Sequence, residues 1–306
     1  MKTGAQPVPA DPPAISFIGT GLMGAPMARR LLDAGCLRTV WNRSPERARS
    51  LVDKGAMLVA SPREAAIGAD MICLCLTSAE AVEQVMFGPA GLASKNDGAA
   101  PLVIDFTTSS PTETRRIADR YRSETNGRWL DAPVSGGTAR AASGDLIIFC
   151  GGEADAFAAA EPVLRILSRR ASLVGPQGAG QTLKLCAQLI AAPTIVAIAE
   201  AFAAAEANGL DVARIPDLLS EGLADSPLLQ LFGRRMAVQD PGPPIGAVAT
   251  MLKDIDAATA MARKAGAPTP VAASAAEVYR ALALDDGDHD LARLLDHYRG
   301  RAGLDR

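Results

Sequence analysis

Three glycines near the start of the chain have the spacing that binds a dinucleotide. Gly19, Gly21 and Gly24 form G-x-G-x-x-G between an apolar run, 14–18, and an amphipathic segment that ends at Gly35. This order of strand, turn and helix predicts a pyrophosphate site at the helix N-terminus, and a glycine-rich turn without a ligand is the alternative. The first glycine permits a tight turn, the second lets the pyrophosphate approach, and the third lets the helix pack on the strand. The residues predicted to contact the cofactor here are Gly19, Thr20, Gly21, Leu22, Met23 and Gly24.

The end of the second predicted strand, 38–41, presents a cation where NAD-binding proteins place a carboxylate. A carboxylate about 20 residues beyond the glycine turn would bind the ribose 2′-hydroxyl of NAD. Here Arg43 offers a planar set of donors that suits a 2′-phosphate, and Asn42 and Ser44 add neutral donors. The sequence therefore predicts NADP, with NAD as the alternative cofactor. A capped turn formed by Ser44 and Pro45 is compatible with this interpretation.

Two later strand ends carry further candidates for the cofactor site. Buried strands are predicted over 70–76 and 102–105, and ligands of open α/β sheets gather at the carboxyl ends of strands. Leu76, Thr77 and Thr108 are therefore predicted to contact the cofactor. Helix capping explains each of these residues equally well when it is taken alone.

A second glycine-bearing turn follows a short predicted strand over 128–131. Ser135, Gly136 and Gly137 make a run of accessible backbone N–H groups there. Such a run suits a carboxylate, so the turn is a candidate for binding an acidic substrate.

A single lysine is conspicuous in the longest apolar helix that the sequence predicts, over 181–208. Lys184 lies one turn into this helix, and Gln188 follows four residues later on the same face. Desolvation lowers the pKa of a lysine into the range that serves proton transfer, whereas a lysine that reaches for solvent at a helix end is the alternative. The helix is apolar on nearly all faces, which predicts burial against partners and a homodimer or homotetramer. Pro193 is predicted to kink or shorten it.

The length and the order of elements predict two domains. At 306 residues the chain is long for one core. Strands alternate with helices as far as residue 176, and only helical patterns follow. We therefore expect an α/β Rossmann domain with a doubly wound, mostly parallel sheet over 14–176, and an all-α domain over 177–306. Residues 1–13 carry four prolines and no apolar core, which predicts a disordered tail.

Composition argues against several classes of partner. A net charge of −3 gives no reason to expect nucleic acid or an anionic membrane. The five cysteines form no C-x-x-C and the only histidines are His289 and His297, so no metal site is expected. The longest uncharged stretch, 185–199, is too short to span a membrane. A cytoplasmic protein that binds a small-molecule substrate is the expectation.

Four motifs in fixed order resemble the β-hydroxyacid dehydrogenase family. That family includes 3-hydroxyisobutyrate dehydrogenase, tartronate semialdehyde reductase and the glyoxylate/succinic semialdehyde reductases. The resemblance extends from Ala14 to the last helix. The motifs are GTGLMGAPMA at 19–28, DAPVSGG at 131–137, GAG at 178–180 with Lys184 and Gln188, and Lys253 with Asp254.

The resemblance implies a role for each matching position. It implies that Lys184 is the general acid/base, that Thr108 contacts cofactor or substrate, and that Lys253 closes over the cofactor. It also implies a 6-phosphogluconate dehydrogenase-like C-terminal domain and a small semialdehyde or hydroxy acid as substrate. The residues that match the substrate-binding turn are Ser135, Gly136 and Gly137.

Departures from the family pattern concern the substrate pocket. Many members carry two asparagines where this chain has Ala187 and Gln188, and Pro193 is atypical. Gln188 can still bind a substrate by hydrogen bonds, whereas Ala187 cannot. Two other functions stay open: an imine reductase, which usually carries aspartate or tyrosine at the position of Lys184, and a non-catalytic NADP-binding protein.

Overall fold

A computed structural model describes residues 13–94, 100–238, 242, 245–287 and 289–302. The chain divides into two compact units, Met1–Lys184 and Leu185–Arg306. This division follows the first turns of the long helix, whereas the domain boundary expected from composition lies at 176 and stays a prediction. The tail predicted over residues 1–13 lies outside the described residues, except for Pro13.

Nine strands among the described residues form one sheet in the first unit, in the order β3-β2-β1-β4-β5-β6-β8-β7 with β9 beside β8. The pairs from β3 to β6 are parallel, β8 runs antiparallel to β6 and β7, and β9 is parallel to β8. The predicted Rossmann class with a mostly parallel sheet is confirmed. The strands are β1 (Ile15–Ile18), β2 (Leu37–Trp41), β3 (Met57–Leu58), β4 (Met71–Leu74), β5 (Leu102–Asp105), β6 (Trp129–Asp131), β7 (Val134–Ser135), β8 (Leu146–Gly151) and β9 (Ser168–Gly175).

Helices cover both faces of this sheet, which explains why its central strands are buried and mostly apolar. Phe17, Cys73 and Ile104 belong to the hydrophobic cluster on one face, and Ile72 and Val103 to the cluster on the other. Strands buried on both faces are continuous apolar runs without alternation. The helices of the first unit are α1 (Gly24–Asp33), α2 (Arg49–Val52), α3 (Pro62–Ala66), α4 (Ala79–Phe87), α5 (Pro111–Thr125), α6 (Gly137–Ser143) and α7 (Ala154–Leu167).

Serine caps set the starts of the helices that follow strand ends. The hydroxyls of Ser61, Ser78 and Ser110 accept backbone N–H groups of α3, α4 and α5. The Ser110 hydroxyl also donates to the Glu113 carboxylate, so these two residues are joined by two hydrogen bonds at the start of α5. Ser44 makes no such bond, although Pro45 follows it and a 3₁₀ turn begins there. These caps fix where each loop at the carboxyl edge of the sheet ends.

The described residues of the second unit are helical apart from their connecting loops. Its core is one cluster in which the Tyr279 hydroxyl donates to the Ala192 carbonyl at 2.9 Å. A π-helical turn, Leu229–Gly233, leads directly into the short helix that begins at Arg234. The helices that end the chain are α8 (Ala179–Ala207), which begins in the first unit, and α9 (Ile215–Leu218), α10 (Arg234–Met236), α11 (Val248–Lys264), α12 (Pro270–Asp286) and α13 (Leu294–Ala302).

The long helix α8 continues through Pro193 without a break. Of the two effects predicted for this proline, shortening of the helix is wrong, because a proline removes one backbone hydrogen bond and the rest of a long helix remains, and a kink stays a prediction. By length and composition α8 could cross a membrane. Core helices of soluble proteins pass the same test, and 44% of its most apolar 18-residue window is buried. The expectation of no membrane partner stays a prediction.

Candidate functional site

Two glycines of the first turn, Gly19 and Gly24, have a steric reason, and the third, Gly21, borders open space. Gly19 has φ +95°, and a Cβ there would collide with the Cys75 carbonyl. A Cβ on Gly24 would overlap the carbonyl oxygen of Gly19, so only glycine lets α1 start this close to β1. A Cβ on Gly21 would meet nothing within 4 Å. Its bare backbone therefore faces open space at the start of α1, an arrangement that fits a pyrophosphate.

Asn42 holds the glycine turn against the end of β2. Its Oδ1 accepts the Thr20 N–H at 3.2 Å, and its Nδ2 donates to the Ser44 carbonyl at 2.8 Å. The Gly19 N–H donates to the Trp41 carbonyl at 2.9 Å. The side chain of Thr20 is buried, whereas that of Leu22 is exposed. Asn42 therefore has a structural use within the turn in addition to the ligand contact that the sequence predicts for it.

A cleft of about 350 Å³ opens at the ends of β2 and β3. The Arg43 side chain is exposed beside it, and among the described residues no carboxylate pairs with this guanidinium. A cation in this place can meet an anionic group of a ligand lying in the cleft. The residues that line the cleft are Trp41, Asn42, Arg43, Pro45, Leu58, Val59 and Ala60.

The loops after β4 and β5 are joined by hydrogen bonds through a buried threonine. The Leu76 N–H donates to Thr107 Oγ1 at 3.0 Å, and the Thr107 N–H donates to Asp105 Oδ1 at 3.0 Å. Thr108 is partly buried and Thr77 is exposed in the same loops. The structure thus brings these predicted residues to the carboxyl edge of the sheet, where the glycine turn also lies. Thr107 makes a bond between the two loops.

Gln181 ties the start of α8 to this edge. Its Nε2 donates to the Thr107 carbonyl at 2.7 Å, and its Oε1 accepts the Ser109 N–H at 3.1 Å. The side chain is fully buried. Sequence reasoning assigned Gln181 no role, and the signal that could have found it is an uncharged polar residue at the start of a very apolar helix.

Asp131, at the end of β6, caps α8 from inside the sheet. Its Oδ1 accepts the Gln177 side-chain amide at 2.7 Å and the Gly178 N–H at 2.6 Å, and its Oδ2 accepts the Gln181 N–H at 3.0 Å. The residue is 0% exposed. Burial raises the pKa of this carboxyl to about 6, although the N–H groups of Gly178 and Gln181 act in the opposite direction. In the sequence, Asp131 stands out only as the first residue of the DAPVSGG motif, from which no role for its carboxylate follows.

The predicted proton-transfer residue lies on the helix that Asp131 caps. Lys184 is 9% exposed and belongs to the second turn of α8, in the first unit. Most of the surface of this lysine is therefore covered by the rest of the protein.

The Ser-Gly-Gly turn requires its two glycines. Gly136 and Gly137 have φ of +138° and +70°. A Cβ on Gly136 would lie 2.8 Å from Cδ of Arg140. Ser135 ends β7 and is partly buried with both glycines. The turn therefore presents backbone at the start of α6 with no side chain on its two central residues.

In the second unit a buried carboxylate joins two of the predicted residues. Asp254, 4% exposed, accepts the Gln188 amide on Oδ2 at 2.7 Å. Its Oδ1 lies 3.0 Å from Nζ of Lys253 in an ion pair that lacks the angles of a hydrogen bond. Nε2 of Gln188 also contacts the Met251 sulfur at 3.8 Å. The amide group of Gln188 is thus engaged, and its Oε1 is the atom that remains for a substrate. Ala187 offers no polar atom on its side chain.

Cys36, Cys73 and Cys150 are buried, Cys75 is partly buried, and Cys186 is exposed. Burial raises the pKa of Cys75 and of Cys150 to about 12, with a further contribution from Asp105 and Asp131 respectively. These groups are therefore protonated at neutral pH. Within the described part of the chain, no group of three histidine, cysteine or acidic residues could hold a metal ion.

Two sequence models of known families match consecutive parts of the chain. The model described as the NAD binding domain of 6-phosphogluconate dehydrogenase matches residues 14–175. The model described as NAD-binding of NADP-dependent 3-hydroxyisobutyrate dehydrogenase matches residues 178–298. Together they account for both the sheet and the helices that follow it.

Individual relatives agree with these matches over nearly full length. The chain is 34% identical to 2-hydroxy-3-oxopropionate reductase of Escherichia coli, covering 92% of this chain and 94% of the relative. It is 33% identical to 3-hydroxyisobutyrate dehydrogenase of Pseudomonas aeruginosa, covering 94% and 99%. The solved structure of Mycobacterium tuberculosis 3-hydroxyisobutyrate dehydrogenase with L-serine has a TM-score of 0.81 at 30% identity and covers 94% and 100%. The chain belongs to the β-hydroxyacid dehydrogenase family and is an NAD(P)-dependent oxidoreductase that acts on hydroxyl groups.

Proposed function

We propose that the protein interconverts a small carboxylate-bearing aldehyde and its hydroxy acid, uses NADP(H), and transfers the proton through Lys184. The observation that carries the proposal is a buried lysine on a helix whose first turn is bonded to the strand ends beside the glycine turn. The names of two relatives, 2-hydroxy-3-oxopropionate reductase and 3-hydroxyisobutyrate dehydrogenase, both denote chemistry on small hydroxy acids.

The residues divide the reaction between binding and proton transfer. When bound, the nicotinamide cofactor supplies or accepts the hydride at the carbon that bears the oxygen. In the reductive direction, the Lys184 ammonium donates its proton to the carbonyl oxygen as that carbon becomes the carbinol. In the oxidative direction, the neutral amine takes the same proton back. The lysine thus exchanges one proton per turnover.

The preference for NADP rests on Arg43. It is the one cation among residues 42–44, and it lies exposed beside the cleft at the end of β2. A guanidinium can bind a 2′-phosphate by two parallel hydrogen bonds. Asn42 contributes indirectly, because its amide bonds Thr20 and Ser44 and so holds the turn in place.

The carboxylate of the substrate is assigned to the turn of Ser135, Gly136 and Gly137. The backbone of this turn, with φ of +138° at Gly136 and +70° at Gly137, offers successive N–H groups as donors for an anion. Gln188, through Oε1, can accept a hydrogen bond from a substrate hydroxyl.

Matched pairs of aldehydes test this proposal. Turnover of glyoxylate against acetaldehyde, and of succinic semialdehyde against butyraldehyde, is measured with NADPH and again with NADH. We expect the charged partner of each pair to have the higher kcat/KM, by about tenfold or more, because donors left without an anion cost binding energy. Equal use of the neutral partners in both pairs would contradict the carboxylate site, and equal use of the two cofactors would contradict the role of Arg43. No oxidation of NADPH with any aldehyde would favour a binding protein, and activity only on imines would favour an imine reductase.

We also propose that the active species is a homodimer or homotetramer. Support comes from the apolar residues that α8 leaves exposed, of which Ile190 is an example. Sedimentation of the active enzyme at micromolar concentration tests this, and an active monomer would contradict it.

A further inference from the structure

The carboxylate of Asp131 occupies a space that is built for it. Gly151 and Gly180 border it, and a Cβ at either residue would lie 2.7 Å from an Asp131 carboxylate oxygen. No larger residue at these two positions could keep the carboxylate where it is. The site is therefore shaped by neighbouring backbone and not by a partner cation.

The donors that fill this space lie at the N-terminal end of α8, at Gly178, which directly precedes the helix, and at Gln181 in its first turn. The N–H groups of Gly178 and Gln181 point at the two oxygens of Asp131, at 2.6 and 3.0 Å. The first N–H groups of a helix have no partner within the helix, and an anion is favourable at that end. Asp131 thus fixes the end of α8 against β6.

A second attachment acts on the same turn. Through Thr107, the side chain of Gln181 bonds the loop after β5, and that loop bonds the Leu76 N–H after β4. Two points of attachment define the rotation of a helix about its axis as well as its height. Lys184 is three residues beyond Gln181 and so lies on a neighbouring face one turn later.

We propose that Asp131 is a positioning residue for the reaction, which holds the first turn of α8 so that Lys184 keeps the orientation needed for proton transfer, with Gln181 as the second attachment. The proposal rests on the assignment of Lys184 under the proposed function. Asp131 itself, fully buried under the helix, exchanges no proton with the substrate.

Asp131→Asn tests the proposal. The asparagine keeps the shape of the side chain but turns an N–H group toward a backbone N–H of α8, so the first turn must shift. We expect kcat with NADPH and the best aldehyde to fall by about 10- to 100-fold, because small misplacements of a reacting group cost this much. The KM for NADPH should stay within about twofold, and the deuterium isotope effect from 4-deuterated NADPH should increase, since the chemical step becomes slower.

Asp155→Asn is the matched control. Asp155 is also a carboxylate in the first turn of a helix, α7, but it is exposed and pairs with Arg128. It should leave kcat and the isotope effect unchanged. If Asp131 has only a structural role, Asp131→Asn should lower the melting temperature but leave kcat per folded molecule and the isotope effect unchanged. That result would overturn the proposal.

Gln181→Ala keeps the proposal testable if Asp131→Asn does not fold. It leaves the backbone N–H on Asp131 and removes only the bonds to the loop after β5, so we expect a smaller loss of kcat, about fivefold to tenfold, with the same rise in isotope effect. An unchanged kcat in this variant would refute the positioning role. Lys184→Ala distinguishes failure of the proposed function from failure of this inference. If Lys184→Ala retains turnover, the proposed function fails. If Lys184→Ala loses turnover but Asp131→Asn has normal kinetics, only the positioning role of Asp131 is refuted.

Discussion

Two buried aspartates, one in each unit, are held by different kinds of donor. Asp131 accepts two backbone N–H groups and one side-chain amide, from Gly178, Gln181 and Gln177. Asp254 is held by side chains alone, the Gln188 amide on one oxygen and the Lys253 ammonium near the other. The Asp131 carboxylate is therefore held mainly by backbone groups, which a side-chain substitution does not remove. The Asp254 carboxylate is held by side chains, each of which a single substitution can remove.

The difference separates two tasks in one enzyme. Backbone donors at a helix end hold an anion without side-chain entropy, so they suit a permanent attachment such as that of Asp131 to α8. A lysine that pairs with its neighbour and stays 37% exposed keeps the freedom to bind something else. Lys184 thus belongs to a fixed element, the start of α8 that Asp131 holds. Lys253 belongs to an adjustable pair, the ion pair of Lys253 and Asp254.

The largest expected effect tests the fixed element. Lys184→Ala should lower kcat by about 10²–10⁴-fold while the dissociation constant of NADPH stays nearly unchanged, because only the proton transfer is lost. Lys184→Arg should be equally poor, since a guanidinium keeps the charge but does not release its proton. Steady-state kinetics and cofactor titration check both variants. Near-normal turnover in Lys184→Ala would disprove the assignment, and activity in Lys184→Arg would reduce the role to electrostatics.

The pH dependence of stability tests how Asp131 is held. Its pKa is raised from 3.8 to about 6 in the folded state, so the folded protein keeps a proton that the unfolded chain has released. The protonated Asp131 carboxyl therefore stabilises the folded state relative to the ionised form. This contribution to the unfolding free energy is fully present below pH 4 and is lost as the pH rises through 6, by about 3 kcal/mol in all. The unfolding free energy of wild type relative to Asp131→Asn should therefore fall between pH 4 and pH 7. The neighbouring Cys150 thiol stays protonated throughout this range. If the unfolding free energy of wild type relative to Asp131→Asn rises between pH 4 and pH 7, the N–H donors lower the pKa of Asp131 by more than burial raises it.

The same contrast explains what could be predicted from the sequence. The glycine turn and the adjacent pair Lys253-Asp254 are visible because they depend on residue type and short spacing. The hydrogen bonds of Asp131, Thr107 and Gln181 could not be predicted from the sequence. They involve backbone groups, which any residue supplies and which lie far along the chain. The fold class was predictable from alternating strands and helices. The length of β9 was not, since Arg169 and Arg170 interrupt its apolar pattern at an edge strand.

A cation of the first unit tests cofactor choice. Arg43→Ala should raise the KM for NADPH by about 10- to 100-fold and leave that for NADH nearly unchanged, because charge-assisted hydrogen bonds to the 2′-phosphate are lost. The two Michaelis constants are measured side by side. Arg38→Ala serves as the control, because this exposed arginine lies within β2 and not at its end. Equal losses for the two cofactors would contradict the assignment.

The smallest expected effect concerns the adjustable pair in the second unit. Lys253→Ala removes the ammonium that lies 3.0 Å from Asp254 Oδ1 but leaves Gln188 on the other oxygen. Because a partly exposed ion pair contributes little, the unfolding free energy should change by no more than about 1 kcal/mol. If Lys253 closes over the bound cofactor, the KM should rise by about threefold to tenfold for NADPH and NADH alike, with kcat nearly constant. Lys264→Ala, at the exposed end of the same helix, is the control. A rise in the KM for NADPH alone would make Lys253 a second ligand of the 2′-phosphate. A fall in kcat as large as that of Lys184→Ala would contradict the distinction between the fixed Lys184 and the adjustable Lys253.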